Sequence, residues 1–290
     1  MVEVLVIAEQ ALEQLAAERA HFADEHAQLA VESIVAGHTG GRLWRAGAAA
    51  QQALLLWDQG NNVLYLAGQP APDQIASLAD LIATQIGPAS LALGRAYVKL
   101  RALSPAFEPE LPALVRGSAL RELHSRFYRY QRAQAPAVAH PNVAGLQLLP
   151  IDRALLTDEA IGNRESVRNE IAGMWPSLER FLTHGFGCAA LVEQQLVCWC
   201  TAEYVGPTGC GIGIATEPAY QGQGIATAAA AHMLGQCLAR GLAAHWECGT
   251  WNAPSMRLAE KLGFTLLATE RAWVVDLTPS LSTPPAGPRP

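Results

Sequence analysis

Apolar residues recur at helical and strand spacings along the first half of the chain. In chain order, the spacing predicts helices at 3–20 and 23–36, strands at 42–45, 53–57 and 63–67, a helix at 72–86 and a strand at 91–93. Gly37 is predicted to end the second helix as its C-terminal cap, and the polar residues 58–62 are typical of a hairpin turn. Residues 119–131 fit a helix and a strand equally well.

The second half has a similar alternation of helices and strands. The pattern predicts helices at 158–173 and 177–183, strands at 188–192, 196–201 and 211–216, a helix at 223–240, a strand at 243–247, a helix at 253–262 and a last strand at 273–276. Two prolines indicate a linker at 133–144, and five prolines in the thirteen residues from 278 predict a disordered tail. The predicted division is therefore an N-terminal α/β domain (1–132), the linker, a second domain (145–277) and the tail (278–290).

Composition narrows the class of protein. The length of 290 residues favours about two domains, and half of the residues are hydrophobic while 16% are charged. A net charge of −6 argues against nucleic acid or an anionic membrane as a partner. The first residues lack the basic stretch of a secretory signal, and no apolar run approaches the ~20 residues of a membrane helix. All six cysteines lie in apolar runs without metal-ligand spacing, so we expect a reduced cytoplasmic protein without a metal site.

The most informative stretch is an apolar run at 211–216 followed by a glycine loop and an alanine-rich helix. The loop reads Gln221-Gly222-Gln223-Gly224-Ile225-Ala226. Glycines let the backbone approach a ligand closely, and a helix start offers unpaired N–H groups to an anion. The loop lacks the Gly-Lys-Ser/Thr ending of a P-loop and the full spacing of the dinucleotide fingerprint. It therefore predicts a phosphate cradle of another kind.

This loop resembles the Q/R-x-x-G-x-G/A motif of the GNAT acetyltransferases. The resemblance continues through Trp246 to Ser255 and through Leu258-Ala259-Glu260-Lys261-Leu262-Gly263-Phe264, and covers about 145–277. The ending is most similar to the two-lobed branch that includes zwittermicin-A-resistance-type acetyltransferases. It implies an α/β fold: a C-terminal GNAT domain with a mixed, mostly antiparallel central sheet flanked by helices. The first half resembles a degenerate GNAT-like domain that shapes the substrate cleft without binding cofactor; an unrelated scaffold or dimerisation domain is the alternative.

The resemblance also implies which residues contact acetyl-CoA. They are Ile214, Ala215 and Thr216 for the pantetheine arm and acetyl carbonyl, Gln221, Gly222, Gln223, Gly224, Ile225 and Ala226 for the pyrophosphate, and Asn252 and Ser255 beside the sulfur. Asn252 is equally well explained as a helix N-cap. Trp175 and Phe181 are implied acceptor contacts, with core packing as the alternative. Gly213 suits the bulge at which the strands part in this family.

Three departures from the family pattern affect the catalytic groups. Ala259 occupies the position of a tyrosine that protonates the departing thiolate in many relatives. Gly211 and Ala215 replace glutamates that several relatives carry on the strand. Ser255, a water or bulk solvent is left as the acid, and the carboxylates expected near the cleft are Glu203 and Glu247. Either is a candidate base acting through a water, and a solvated structural role is the alternative for each.

The expected function is transfer of an acetyl group from acetyl-CoA to a primary amine of a small molecule, by direct attack and without a metal. The implied partners are acetyl-CoA and that amine. Two alternatives stay open at this stage. One is a weakly catalytic acyl-CoA-binding or regulatory module, and the other is an acyltransferase with a longer acyl donor or a hydroxyl acceptor.

Overall fold

The computed structural model describes residues 7–47 and 52–277, and within these ranges twelve strands form one continuous sheet. The strands are β1 (Ile7–Gln10), β2 (Gly41–Ala46), β3 (Ala53–Asp58), β4 (Val63–Gly68), β5 (Tyr97–Ala102), β6 (Leu120–Arg129), β7 (Gln147–Pro150), β8 (Gly187–Val192), β9 (Gln195–Val205), β10 (Gly209–Thr216), β11 (Ala243–Gly249) and β12 (Thr265–Asp276). Their spatial order is β1-β2-β3-β4-β5-β12-β6-β11-β10-β9-β8-β7.

Helices flank this sheet. They are α1 (Leu12–Glu18), α2 (Glu25–Val35), α3 (Pro72–Leu81), α4 (Gly87–Ala92), α5 (Leu111–Leu114), α6 (Arg153–Thr157), α7 (Arg164–Met174), α8 (Leu178–His184), α9 (Ile225–Ala239) and α10 (Ala253–Leu262). A π-helical turn at Ile82–Ile86 joins α3 to α4.

The two halves of the chain exchange one strand each. Strand β6 belongs to the first half but lies between β11 and β12, and β12 belongs to the second half but lies between β5 and β6. The pairings of β6 with β11 and of β12 with β5 are antiparallel, for example His245 opposite Arg129 and Val275 opposite Val98. Each half therefore contributes a central strand to the other half's part of the sheet.

Two strand pairs in the sheet are parallel, one in each half. They are β4 with β5 and β10 with β11, and the other pairs within the described ranges are antiparallel. The expected fold class, a mixed and mostly antiparallel sheet flanked by helices, is confirmed. The predicted boundaries at 132 and 145 stay a prediction, and the predicted tail at 278–290 lies outside the described residues.

Two hydrophobic clusters lie on opposite faces of the first half's strands. In β3, Leu54 and Leu56 join a cluster that extends through the second half to Leu234, while Leu55 and Trp57 pack beneath α3. Strand β3 is thus buried on both faces, as its continuous apolar run suggests.

Polar contacts also join the halves. The Tyr204 hydroxyl donates to the Asp58 carboxylate at 2.5 Å, and the Arg180 guanidinium donates to the carbonyls of Ala36 and Gly37.

Several predicted elements need correction. Residues 7–10, expected within a helix, form β1, and the helix begins at Leu12; residues 3–6 lie outside the described ranges. The predicted strand at 91–93 is wrong, because Leu91 lies in α4 and β5 begins only at Tyr97. A three-residue apolar run carries no periodicity that separates a buried helix from a strand. The undecided segment 119–131 contains strand β6, and the last strand begins at Thr265, well before the predicted start.

One helical segment contradicts the expectation about apolar length. Pro72–Ala92 spans 21 residues, and an 18-residue window within it has a mean hydropathy of 1.3, so it is long and apolar enough to cross a membrane by length and composition alone. Its apolar side chains, including Ile75, Leu78 and Ile86, pack into the cluster on the sheet. A helix buried in a protein core can be equally long and apolar, so this segment is weak evidence for a membrane span.

Candidate active site

Strands β10 and β11 part midway along their length. Their parallel pairing runs from Gly209 opposite Ala243 to Ile212 opposite Trp246. Beyond that point, among the residues that the structure describes, β10 pairs only with β9 and β11 pairs only with β6. Ile214, Ala215 and Thr216 therefore lie along a strand edge that faces an opening in the sheet. An extended chain inserted there could hydrogen-bond to this edge.

The glycine loop lies at the end of β10 and leads directly into α9. Gly222 and Gly224 have φ values of +74° and +83°, which favour glycine, and a Cβ at either position would meet nothing within 4 Å. The side chain of Gln221 donates to the Thr216 carbonyl at 3.1 Å, and that of Gln223 donates to the Ala219 carbonyl at 3.0 Å. The two glutamines thus fix the loop to the preceding turn.

The start of α9 fits an anion. The first N–H groups of a helix have no partner within it, and the helix dipole favours negative charge there. The first turn of α9 carries no acidic residue. Ile225 is buried and Ala226 packs on the core, so both anchor the first turn beside the open loop. These features fit the pyrophosphate of a bound coenzyme A.

The corresponding place in the first half does not fit such an anion. Helix α3 begins with Pro72, which has no N–H group, and Asp73 places a negative charge in its first turn. The backbone N–H of Ala71 donates to the Gln74 side chain at 3.2 Å.

Strands β4 and β5 also stay joined in the first half. The Leu103 N–H donates to the Leu66 carbonyl at 2.8 Å, and the Gly68 N–H donates to the Ser104 hydroxyl at 2.9 Å. The first half therefore keeps the parallel strand pair without the opening found between β10 and β11.

Asn252 and Ser255 lie at the start of α10, on the side of β11. The Asn252 side chain accepts a hydrogen bond from the Ser255 backbone N–H at 3.2 Å. Asn252 is therefore the N-cap of α10, the alternative role that the sequence suggests for it. The Ser255 hydroxyl accepts from the Trp246 indole N–H at 3.0 Å. Ser255 is thereby tied to the strand next to the opening, while Ala259 is fully buried and offers no acid.

Glu203 is positioned by a β-bulge and a glycine. Tyr204 lies opposite Gly211 and Ala202 lies opposite Ile212, so Glu203 is the extra residue on β9. A Cβ on Gly213 would lie 2.0 Å from Oε1 of Glu203. The bulge is therefore on β9, and the role of Gly213 on β10 is to leave room for this carboxylate.

The second candidate carboxylate, Glu247, lies across the opening on β11. Its Oε2 is 3.2 Å from Nε2 of His26, which α2 contributes from the first half. Glu203 and Glu247 line the same small pocket where the strands part, together with Gly211 and Trp246. The structure thus brings both predicted carboxylates to the opening.

The two carboxylates have opposite pKa shifts. Burial, together with the neighbouring carboxylates of Glu170 and Glu247, raises the pKa of Glu203 to about 8, against the opposing effect of the Lys99 ammonium. Burial also acts to raise the pKa of Glu247, but His26, Lys99 and Arg101 outweigh it, so the net shift is downward. Glu203 therefore holds a proton near neutral pH while Glu247 is ionised. Such a separation is typical of a site that moves a proton.

Burial lowers the pKa of His26 to about 4, although the negative charge of Glu247 acts to raise it. The imidazole is therefore neutral at the pH at which Glu203 titrates.

A larger cleft of about 350 Å³ adjoins the Glu203 side of this pocket. Both halves line it: Asn61, Tyr97 and Lys99 come from the first half, and Asn169, Glu170 and Glu203 come from the second. The contribution of Asn61, Lys99 and Glu170 could not be found from the sequence. Their positions depend on contacts between distant segments, and no local motif marks them.

Trp175 and Phe181, the predicted acceptor contacts, lie in the hydrophobic core. Trp175 is 3% exposed and Phe181 is 0% exposed. The Trp175 indole N–H donates to the Ala202 carbonyl at 2.8 Å, and the two rings pack edge to face with centroids 5.4 Å apart. Neither ring lines the cleft. Core packing, the alternative kept from the sequence, is the role that this burial supports.

Within the described residues, no group of three or more His, Cys, Asp or Glu side chains is placed to hold a metal ion. All six cysteines are buried, and each of their thiols is free.

Comparison with known proteins gives the family. The sequence model of the GNAT acetyltransferase family matches residues 19–271. An uncharacterized N-acetyltransferase of Bacillus subtilis, YdfB, is 31% identical over 120 residues, which are 41% of this chain and 44% of that protein. The match thus spans less than half the length of this curated relative.

Solved structures with low sequence identity share the fold. A GCN5-related N-acetyltransferase-like protein from Streptococcus suis has a TM-score of 0.58 at 20% identity, over 90% of this chain and 98% of that one. A tandem GNAT protein from the clavulanic acid biosynthesis pathway has a TM-score of 0.53 at 14% identity, over 95% and 99% of the two chains. Because the family model covers most of the sequence, this chain belongs to the GNAT acetyltransferase family, whose members are acyltransferases that use acetyl-CoA as co-substrate.

Proposed function

We propose that this protein transfers an acetyl group from acetyl-CoA to a primary amine of a small molecule, at the opening between β10 and β11. The observation that carries the proposal is that the opening joins an anion-binding helix start to a cleft containing a carboxylate of raised pKa. Acetyl-CoA supplies the acetyl group as a thioester, which is reactive towards a neutral amine.

The residues of the loop and strand edge would hold the donor. The backbone N–H groups of residues 221–226 would bind the pyrophosphate, with the dipole of α9 behind them. The backbone of Ile214, Ala215 and Thr216 would hydrogen-bond to the pantetheine arm and polarise the acetyl carbonyl. Asn252 and Ser255 would flank the arm from the side of β11.

Glu203 would act as the base, directly or through one water. A base whose pKa is near the working pH combines a useful deprotonated fraction with a sufficient driving force for proton transfer. The acceptor nitrogen loses a proton to Glu203 and gains the acetyl group as the C–S bond of the thioester breaks. Ser255 or a water returns a proton to the departing sulfur. Glu247, held ionised beside neutral His26, would favour the positive charge of an incoming ammonium.

The two halves of the chain would have different roles. Residues 145–277 would form the catalytic domain, residues 1–132 would complete the acceptor cleft, and residues 133–144 would connect them. The self-capped start of α3 and the joined strands β4 and β5 support a first half that does not bind cofactor.

A second candidate is an acyl-CoA-binding module without turnover. The observation in its favour is the buried Ala259, which leaves no phenol at the position that supplies an acid in many relatives.

Thiol release from acetyl-CoA, followed with a panel of primary amines and alcohols, tests the proposal. We expect release with one class of amine, a product heavier by one acetyl group, and loss of both in Gly224→Trp. Gly117→Trp is the matched control, because Gly117 also has a positive φ (+72°) and open space around it but lies in the first half. Tight acetyl-CoA binding by calorimetry without release from any acceptor would favour the binding module. Competition with longer acyl-CoAs tests whether the donor is acetyl-CoA.

A further inference from the structure

The acceptor cleft contains both signs of charge, contributed by different halves. Lys99 on β5 is the ammonium, and Glu170 on α7 and Glu203 on β9 are the carboxylates. All three side chains are partly buried, so their interactions are less screened than those on an open surface.

Lys99 differs from the arginines near the acceptor cleft because its ammonium has no hydrogen-bonded or ion-paired partner among the described residues. Arg95 donates to the carbonyls of Gly60 (3.1 Å) and Gly173 (2.7 Å), and Arg101 is paired with Asp24 and Glu270. The Lys99 ammonium makes no hydrogen bond or ion pair with any other described residue. The ammonium acts on Glu203 and Glu247 only over a longer distance, so its hydrogen-bonding positions remain available to an anionic group in the cleft.

We infer that the acceptor carries an anionic group, a carboxylate or a phosphate, close to its amine. The amine faces Glu203 and Glu170, and the anionic group pairs with Lys99. This inference rests on the proposed function and names the substrate class of the same site. It makes Lys99 a specificity-determining residue contributed by the half of the chain that has no coenzyme site.

The size and charges of the cleft agree with such an acceptor. A volume of about 350 Å³ lies at the small end of ligand pockets, which suits a molecule of amino-acid size. A polyamine would satisfy the carboxylates but would bring a second positive charge towards Lys99. An amine with one anionic group satisfies both ends of the cleft.

The test compares acceptors that differ by one anionic group. The pairs are tyrosine with tyramine, histidine with histamine, and phosphoethanolamine with ethanolamine; the last pair distinguishes a phosphate from a carboxylate. For at least one pair we expect kcat/KM in the wild-type protein to be roughly 10- to 100-fold higher for the anionic member, the range given by one hydrogen-bonded charge pair.

Variants of Lys99 connect this preference to the residue. Lys99→Met should bring the ratio within a pair close to one by raising KM for the anionic member. Because the ammonium also lowers the pKa of Glu203, its loss changes the rates of both members alike, so the ratio is the readout for recognition of the anionic group. Lys99→Arg keeps the charge and should restore part of the ratio. Lys261→Met is the matched control, because Lys261 is the chain's other lysine and is exposed on α10.

Each outcome bears on the inference. A wild-type ratio of one or less in every pair overturns it, and this result does not depend on whether a variant folds. A ratio that survives in Lys99→Met also overturns it, even if both members lose activity equally, since an equal loss is explained by a structural role or by the effect of Lys99 on Glu203. If no amine is acetylated, the proposed function fails and the inference fails with it; acetylation of the neutral amines alone overturns only the inference.

Discussion

At the level of single residues, the candidate base owes its position to its neighbours on two strands. Glu203 is the extra residue of a bulge, and Gly213 on the facing strand has no side chain to displace its carboxylate. Burial then raises its pKa into the range that suits a base at mildly alkaline pH.

Gly213→Ala should disable this arrangement without affecting the coenzyme loop. The new Cβ would lie 2.0 Å from Oε1 of Glu203, so the carboxylate must move. We expect kcat to fall about 10- to 100-fold, while the affinity for acetyl-CoA measured by calorimetry stays the same. Gly235→Ala is the control, because Gly235 lies within α9 with nothing within 4 Å of its Cβ position. Equal activity of the two variants would refute this role of Gly213.

Glu203→Gln should change the pH dependence of stability. The folded protein holds the Glu203 proton up to about pH 8, whereas an unfolded chain releases it near the ordinary value of 4.5. Folding therefore binds a proton between these values, and this site makes the native state less stable as pH rises through them. The melting temperature of the variant relative to wild type should thus increase from pH 5 to pH 8.5.

A control separates this effect from a general loss of charge. Glu159→Gln removes an exposed carboxylate outside the cleft, and the trend for Glu203→Gln should remain after the trend for this control is subtracted. A Glu203→Gln difference that does not change with pH would contradict the buried, proton-holding state of this residue.

At the level of elements, the glycine loop and the helix after it were predictable because their signals are local. So was the hairpin of β3 and β4, which is marked by its polar turn. The exchange of β6 and β12 was not predictable, since their partners are distant in sequence and leave no local pattern. The acceptor cleft was missed for the same reason. Glu203 and Glu247 were found as candidates, but their opposite pKa shifts depend on tertiary packing. Burial and the neighbouring Glu170 raise the pKa of Glu203, whereas His26 and Arg101 lower that of Glu247.

The exchanged strands predict that the halves depend on each other. A fragment of residues 1–132 lacks β12, which joins β6 to β5, and a fragment of residues 145–277 lacks β6, which joins β12 to β11. In each fragment one long strand would therefore lose its connection to the rest of the sheet. We expect neither fragment alone to show a cooperative thermal transition by circular dichroism. When coexpressed, the fragments should copurify and melt in one transition. Cooperative unfolding of either isolated fragment would contradict this prediction.

At the level of the whole molecule, the halves meet around the cleft through buried polar contacts. The Asp58 carboxyl is fully buried, and burial raises its pKa to about 6 against the hydrogen bond from the Tyr204 hydroxyl. Asp58 lies in the first half and Tyr204 in the second, next to Glu203. The contact therefore ties the shape of the acceptor cleft to the packing of the two halves.

Tyr204→Phe should destabilise the protein, because it removes a hydrogen bond from a buried carboxyl group. We expect a loss of about 1–3 kcal/mol in the free energy of unfolding. The loss should be larger at pH 8 than at pH 5. Asp58 is ionised above about pH 6, and the hydrogen bond from Tyr204 stabilises the ionised form more than the neutral one.

Tyr65→Phe is the control for this substitution. The Tyr65 hydroxyl is also buried but has no hydrogen-bond partner among the described residues, so its removal should leave stability unchanged or raise it. Equal losses in the two variants would show that the Asp58 contact does not join the halves as described.

The central claim is that acetyl transfer takes place at the opening between β10 and β11 with Glu203 as the base. The most direct test is the pH profile of kcat/KM for wild type and Glu203→Gln, with an acceptor whose amine titrates well above pH 8. Wild type should rise with pH and level off around an apparent pKa near 8. The variant should bind acetyl-CoA normally, lose this rise, and be about 100-fold slower at pH 8.5. The same rise in the variant, at a rate close to that of wild type, would contradict the claim.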